Sequence, residues 1–247
     1  MPHSDIHFEQ IASAGLITLD RPDALNALSM DMVLAFTAQL SRWASDDAIT
    51  HVVLCSSSPR AFCAGGDIKY ARQLAVSGDP AGAEPYFRAE YIADVALIEF
   101  GKPVIALCDG IVMGGGAGLA QHSQHIVMTE TTRFAMPESA IGLFPDVGAS
   151  FFLGRCPKSV ARLMGMTGHI VGAADCLLLG LATAQVPTGS LADLKEKLLH
   201  HHVDQIDSII SQFQTDAGQS LLASQRQLID HISVSYTHLT LPTNREV

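Results

Sequence analysis

Short apolar runs bounded by turn residues alternate along this chain with stretches in which apolar positions recur every three or four residues. The first pattern predicts buried strands, the second amphipathic helices. Gly15-Leu16-Ile17-Thr18-Leu19-Asp20 is the first such strand, closed by Arg21-Pro22-Asp23. Over residues 26–43, Leu28, Met32, Leu34, Phe36, Leu40 and Trp43 mark a helix with one buried face, and Ser29 is placed to cap it. His51-Val52-Val53-Leu54-Cys55 is the second strand. Strand, helix, strand in that order predicts a right-handed parallel crossover.

The pattern continues with a polar loop at 56–60 and the run Ala61-Phe62-Cys63-Ala64-Gly65-Gly66-Asp67-Ile68, a strand end followed by a glycine turn. Residues 77–85 lack periodicity and read as a mobile loop. A helix is expected over 86–100, its apolar face formed by Phe87, Tyr91, Val95 and Ile98. Pro103-Val104-Ile105-Ala106-Leu107-Cys108 is a buried strand that delivers the chain into Met113-Gly114-Gly115-Gly116-Ala117-Gly118-Leu119, a glycine turn opening a helix of small side chains. Strands at 125–128 and 133–135 follow, then a segment at 136–149 with two prolines, two glycines and two acids, which reads as a packed loop. Helices are expected at 149–155, 160–166 and 173–179, a short strand at 184–187, and appended helices at 191–202 and, in broken form, to 232.

These elements divide the chain into a core over 1–187, a helical extension over 188–233 and a segment at 234–247 of different character. That last segment mixes β-branched residues with Pro242 and has no amphipathic period, so it is expected to be disordered and foreign to the natural protein.

Composition narrows the function classes. The chain has 247 residues, enough to bury about 70–75% of its unfolded surface. With 15 Lys+Arg against 25 Asp+Glu the formal charge is −10, which disfavours nucleic acid or an anionic membrane as partner. The five cysteines are far apart, without a Cys-x-x-Cys pair, and read as small buried hydrophobes of a reducing compartment. No apolar run approaches the ~20 residues of a membrane span, and no secretory signal is evident. A cytoplasmic protein is expected. His200-His201-His202 does not suggest a metal, because consecutive residues do not share a helix face.

Candidate chemistry lies in the two glycine turns and the acids near them. Glycines after a strand let another group approach the main chain, and the first turn of a helix presents N–H groups without intrahelical partners. The spacing around Gly114 matches neither a phosphate loop nor a dinucleotide fingerprint, so a developing oxyanion is the expected ligand. Tight helix-on-sheet packing is the plainer alternative. Glu138 and Asp146, in a largely apolar loop, are suited to acid–base work if desolvated; otherwise they only complement helix starts. Glu90 falls between Phe87 and Tyr91, either solvated or at the rim of a pocket.

Together, Leu19-Asp20-Arg21-Pro22 with Asn26-Ala27-Leu28, the turn Phe62-Cys63-Ala64-Gly65-Gly66-Asp67, the Gly114-Gly115-Gly116 turn and Pro137-Glu138 resemble the crotonase, or enoyl-CoA hydratase/isomerase, superfamily over residues 16–186. The resemblance implies an α/β fold, a crotonase-like spiral of repeated ββα units followed by C-terminal helices. It also implies an oxyanion hole for an acyl-CoA thioester, with N–H donors at Gly66 and Gly115 and substrate contacts around Ala64, Asp67 and Gly114. A hydratase of this superfamily is expected to carry a glutamate just after the glycine triplet, where this chain has Gly118, as well as one at Glu138. The segment from Phe134 to Gly148, with Glu90-Tyr91, instead looks like the 3-hydroxyisobutyryl-CoA hydrolase subfamily of valine catabolism, whose functional positions carry over as Glu90, Gly115, Glu138 and Asp146. Relatives of that kind continue with further helices, so the chain is expected to be truncated at its C-terminus.

That resemblance implies thioester hydrolysis without metal or cofactor, the CoA thioester being the substrate, with Glu138 as nucleophile or base. A possible homo-oligomer, and the mitochondrial matrix as the compartment in a eukaryote, are further implications. The rival readings are a hydratase or isomerase working with one carboxylate, and an acyl-CoA-binding protein without turnover.

Overall fold

The computed structural model describes residues 5–77 and 81–239, with side chains described to residue 233. It opens with a strand, β1 (Ile6–Ile11), that the sequence reading did not anticipate, because the run Ile-His-Phe-Glu-Gln-Ile is only half apolar. β1 pairs antiparallel with β2 (Ala14–Leu19) through a tight turn in which Ala12 takes a positive φ of 51°. After α1 (Met30–Ala44), β3 (His51–Ser56) pairs parallel with β2, giving the expected crossover. Ser29 caps α1 by accepting from the Met32 N–H at 3.3 Å.

A repeating unit then builds the rest of the core. The first repeat is β3, β4 (Ala61–Cys63), α2 (Ile68–Val76) and α3 (Glu84–Ile98); the second is β5 (Val104–Cys108), β6 (Ile111–Met113) and α4 (Gly115–Gln121). The third is β7 (His125–Met128), β8 (Arg133–Ala135) and the helices α5 (Ala149–Gly154), α6 (Lys158–Thr167) and α7 (Ala173–Leu179). Each repeat gives its first strand to a six-stranded sheet of order β1-β2-β3-β5-β7-β9, where β9 is Ala184–Gln185, and its second to a three-stranded sheet of order β4-β6-β8. This is a spiral of ββα units, as expected.

The inner strands β2, β3 and β5 of the six-stranded sheet are buried on both faces, which is why they read as continuous apolar runs rather than alternating ones. Ile17, Leu54 and Ala106 face α1, α3 and α4, while Leu16, Val53, Ile105 and Val127 face the C-terminal helices. Those helices are α8 (Leu191–His200) and α9 (Ile206–Phe213), which close the second face with Leu194, Leu198, Leu199, Ile206, Ile209 and Ile210. Burying a side chain of this size is worth about 1.5–3 kcal/mol.

Four expectations need correction. β5 does not run into the glycine turn; the chain turns at Asp109-Gly110 and enters it through β6, so both glycine turns follow neighbouring parallel strands of the small sheet. On α3 the expected apolar face is the outer one, with Tyr91, Val95 and Ile98 at 38%, 48% and 55% exposure. Its buried face is Tyr86, Ala89, Glu90, Ala93, Asp94 and Leu97, because close packing against α1 and α4 selects small residues. The segment after β8 is only partly packed: Glu138 is buried, but Ile141 and Phe144 are exposed. Finally, α10 (Leu221–Leu239) carries the backbone through the first six residues of the segment set apart at 234, by propagation of a helix already started at Leu221; residues 240–247 lie outside the described residues. Of the loop expected at 77–85, positions 78–80 also lie outside them, and α3 starts within it at Glu84.

Candidate active site

The two glycine turns lie against each other because β4 and β6 are paired. In the first, Gly65 has φ +111°, a conformation that favours glycine. A β-carbon there would meet Met113 O at 3.1 Å and Gly115 N at 3.4 Å, both in the second turn. Gly114 has φ +52° and a β-carbon on it would lie 3.0 Å from Glu138 Oε1. One on Gly115 would come within 3.4 Å of Gly66 N. The backbone at Gly66 and that at Gly115 therefore lie side by side, and among the described residues neither N–H has a hydrogen-bond acceptor.

The packing alternative also holds, one residue further on. A β-carbon on Gly116 would fall 2.3 Å from Cys63 O and 2.7 Å from Cys63 Cβ, so this glycine permits the approach of α4 to β4. The triplet divides its work between an open site and a closed contact.

Residues 25–28 and Tyr86 hold the first turn in place. Leu28 N–H donates to Gly65 O at 2.8 Å, Asp67 N–H donates to Leu28 O at 3.0 Å, and Ala64 N–H donates to Leu25 O at 3.0 Å. The fully buried Tyr86 hydroxyl accepts from Asp67 N–H at 2.7 Å and donates to Leu28 O at 2.6 Å. Asn26, also fully buried, donates to Ser56 Oγ, Ala61 O and Phe62 O and accepts from Arg21 N–H. The Asn26-Ala27-Leu28 motif is thus a strap around β4 and its turn. Sequence reading registered the motif but not this work, nor Tyr86.

A cleft of about 260 Å³ opens beside the turns, lined by Ala64, Gly66, Gly114 and Gly115, the acids Glu90, Glu138 and Asp146, and apolar side chains including Phe87 and Ile141. Of the predicted site residues, Asp67 is the exception. Its carboxylate caps α2 through the Tyr70 N–H at 3.1 Å and pairs with Arg21 Nη1 at 2.8 Å, outside the cleft lining.

The acids are brought together from three elements. Glu138 begins the short 3-10 turn after β8, is 6% exposed, and its Oε2 has no partner. Burial, reinforced by the Asp146 charge, pushes its carboxyl up to about 7. Asp146 is half-buried and accepts a hydrogen bond from Tyr91 Oη at 2.8 Å; burial raises its pKa, and that bond opposes the rise. Glu90 is 5% exposed, not solvated, and its Oε1 is unpartnered. Burial, with the charges of Asp146 and Glu138, pushes it up to about 8.

Asp94, one turn beyond Glu90, was not anticipated at all. It is 6% exposed, its Oδ2 is unpartnered, and burial together with the Glu90 and Asp146 charges pushes it up to about 8. The available signal was the i,i+4 spacing of Glu90 and Asp94, which puts both acids on one helix face. At Gly118, where a second catalytic glutamate was looked for, a β-carbon would meet Val147 Cβ at 2.8 Å and Asp94 Oδ1 at 3.1 Å. That position has no room for a side chain. Among the described residues no group of three or more His, Cys, Asp or Glu is arranged to hold a metal ion.

Residues 14–241 match the family model of enoyl-CoA hydratase/isomerase. The chain belongs to this family. The 3-hydroxyisobutyryl-CoA hydrolase, mitochondrial, of Gallus gallus is 41% identical over 196 residues, covering 79% of this chain and 51% of that protein. The protein of the same name from Danio rerio is 38% identical, covering 93% of this chain and 62% of that protein. Among solved structures, an enoyl-CoA hydratase from Rhodobacter sphaeroides 2.4.1 superposes with a TM-score of 0.85 at 37% identity, over 92% of this chain and 66% of that one. A carnitinyl-CoA dehydratase from Mycobacterium thermoresistibile gives a TM-score of 0.88 at 31% identity, over 97% and 72%. The chain of this enoyl-CoA hydratase/isomerase family member spans about half to three-fifths of the length of the two curated relatives. No helix among the described residues is long and apolar enough to cross a membrane.

Proposed function

We propose that this chain hydrolyses a short 3-hydroxyacyl-CoA thioester, the 3-hydroxyisobutyryl ester in particular, releasing CoA and the free hydroxy acid. The observation that carries the reading is the buried carboxyl of Glu138 beside the paired turns, with the alternative position at Gly118 closed by Val147 and Asp94. Addition of water across an enoyl bond, in this family, calls on a second acid at that closed position. The printed names of the curated relatives support the hydrolase reading and its acyl group.

In this mechanism the thioester oxygen is held by the Gly66 and Gly115 N–H groups, which stabilise the charge that develops as the tetrahedral intermediate forms. One such donor is typically worth about 2.7–4 kcal/mol of barrier. Glu138 attacks the carbonyl carbon to give a mixed anhydride, or takes a proton from the attacking water. Asp146, held by Tyr91, binds the acyl hydroxyl or orients Glu138. Ala64 and Gly114 contact the substrate through the cleft wall. Because main-chain groups hold the charge, the scheme calls on no metal or cofactor. The word mitochondrial in the relatives' names supports that compartment over the cytoplasmic expectation.

The test compares two assays on purified protein: thiol release from 3-hydroxyisobutyryl-CoA and loss of the enoyl absorbance from crotonyl-CoA. Hydrolysis predicts the first without the second. The reverse result returns the hydratase reading, and binding without either product returns the non-catalytic one.

A further inference from the structure

The mechanism above leaves one step without an agent. Breaking the carbon–sulfur bond of an alkyl thioester expels a basic thiolate, and Glu138 is occupied at the carbonyl carbon. Resting on that hydrolase reading, we infer that Glu90 is the proton donor to the leaving sulfur.

Placement is the first argument. Glu90 Oε1 lies 2.2 Å from where a β-carbon on Gly115 would sit and 3.2 Å from where one on Gly66 would sit. It stands at the junction of the two turns, alongside the atom they hold, and the sulfur is one bond from that carbonyl. The second argument is the lack of any other employment: Oε1 is buried without a partner, whereas Asp146 accepts from Tyr91 and Asp67 is tied to Arg21.

The third argument is what lies behind Glu90. A small chamber of about 10 Å³, room for about one water molecule, is bounded by Glu90 and Asp94 and otherwise by apolar side chains such as Met32, Phe36 and Leu119. The titratable groups facing Glu90 are Tyr86, Tyr91 and Asp94 of α3, Cys63 of β4, and Glu138 and Asp146 after β8, none of them a cation. Two carboxylates sharing an apolar wall with no cation do not both ionise. Burial of this kind keeps a carboxyl protonated near neutral pH, the form an acid catalyst needs.

The step balances. As the C–S electron pair goes to sulfur, the Glu90 O–H proton goes with it, giving CoA thiol and the Glu90 carboxylate. On the anhydride route the incoming water returns one proton to Glu90 as its oxygen bonds to the acyl carbon and the bond to Glu138 breaks. On the general-base route Glu138 takes that proton and passes it back through solvent.

The test uses the same acyl group on CoA and on 4-nitrothiophenol, whose thiolate leaves without a proton. Glu90→Gln is expected to lose about 10²–10⁴-fold in kcat on the CoA ester, the usual worth of a general acid, and at least tenfold less on the aryl ester. Equal losses on both esters make Glu90 an acyl contact and overturn the inference. If Glu90→Gln does not fold, or the parent ignores the aryl ester, the pH–rate profile of Asp146→Asn decides. Removing the Asp146 charge, which helps keep the proton on Glu90, lets Glu90 lose it at lower pH, so the alkaline limb shifts downward; a limb that stays put overturns the proposal. A parent protein that releases no thiol from either ester refutes the hydrolase reading itself, a result distinct from equal losses in the variant.

Discussion

Glu90 Oε1 occupies the point just outside Gly115, 2.2 Å from where that residue's β-carbon would be, while Gly116 is filled from the opposite side by Cys63 O at 2.3 Å. Adjacent glycines thus face different obstacles, a movable carboxyl in one case and backbone in the other. Gly115→Ala is expected to displace Glu90 and lower kcat by at least about tenfold with modest loss of stability. Gly116→Ala forces α4 off β4 and costs about 1–3 kcal/mol of folding free energy or more. Parallel kinetics and urea titrations of the two variants separate these effects; the same profile for both would remove the distinction between site and seam.

Glu138→Gln keeps the shape of the cleft wall and removes the only buried carboxyl proposed to act on the carbonyl carbon. Thiol release should fall by about 10²-fold or more, the lower end of what a general base supplies. A Gln variant working at the parental rate would falsify its role.

Since burial lifts Glu138 to about 7, its reactive carboxylate form grows in as pH rises through neutrality. The rate of thiol release at saturating substrate should climb across that range, with an acidic limb near 7 instead of near the usual carboxylate value of about 4.3. A profile flat from pH 5 to 8 argues against Glu138 titrating in the step.

Stability should respond to the same burial. Asp94 has its pKa raised to about 8 in the folded chain, against about 3.9 for an unfolded aspartate. Between those values the folded state binds more protons than the unfolded one, so its stability falls as pH rises through the window. Asp94→Asn lacks this penalty, and its melting temperature relative to the parent should rise by a few °C from pH 5 to pH 8, each kcal/mol being worth about 2–4 °C in a chain of this size. A constant difference between the two proteins would show Asp94 to be ionised in the folded chain at both ends.

Tyr86→Phe deletes the hydroxyl that ties Asp67 N–H to Leu28 O. Asp67 N–H and Leu28 O keep their direct bond at 3.0 Å, so the loss is expected to cost only about 0.5–1.5 kcal/mol, the net worth of a typical hydrogen bond. Because Gly66 sits between the tethered residues, kcat should also fall, with KM changed less. Unchanged kcat in a destabilised variant would limit Tyr86 to a structural part.

Much of this was legible in the chain. Runs such as Val52-Val53-Leu54 and Val104-Ile105-Ala106 declared a sheet covered on both sides, and Gly66, Gly115 and Glu138 stood out through motif and spacing. α3 was misread because its outward Tyr91, Val95 and Ile98 are more apolar than the inward Ala89, Glu90, Ala93 and Asp94. Periodicity finds the greasy side of a helix, and here close approach and buried acids outweighed it. The division of strands between two sheets was hidden for another reason: Ile111-Val112-Met113 is too short to stand apart from the glycines that follow.

The spiral also fixes an order of assembly. The residues that line the cleft come from three successive windings, Gly66 and Glu90 from the first, Gly115 from the second, Glu138 and Asp146 from the third. The helices α8 and α9 arrive last and cover the far side of the large sheet. A nascent chain emerging from the ribosome therefore possesses every group proposed to react some fifty residues before it can shield the back of its own scaffold.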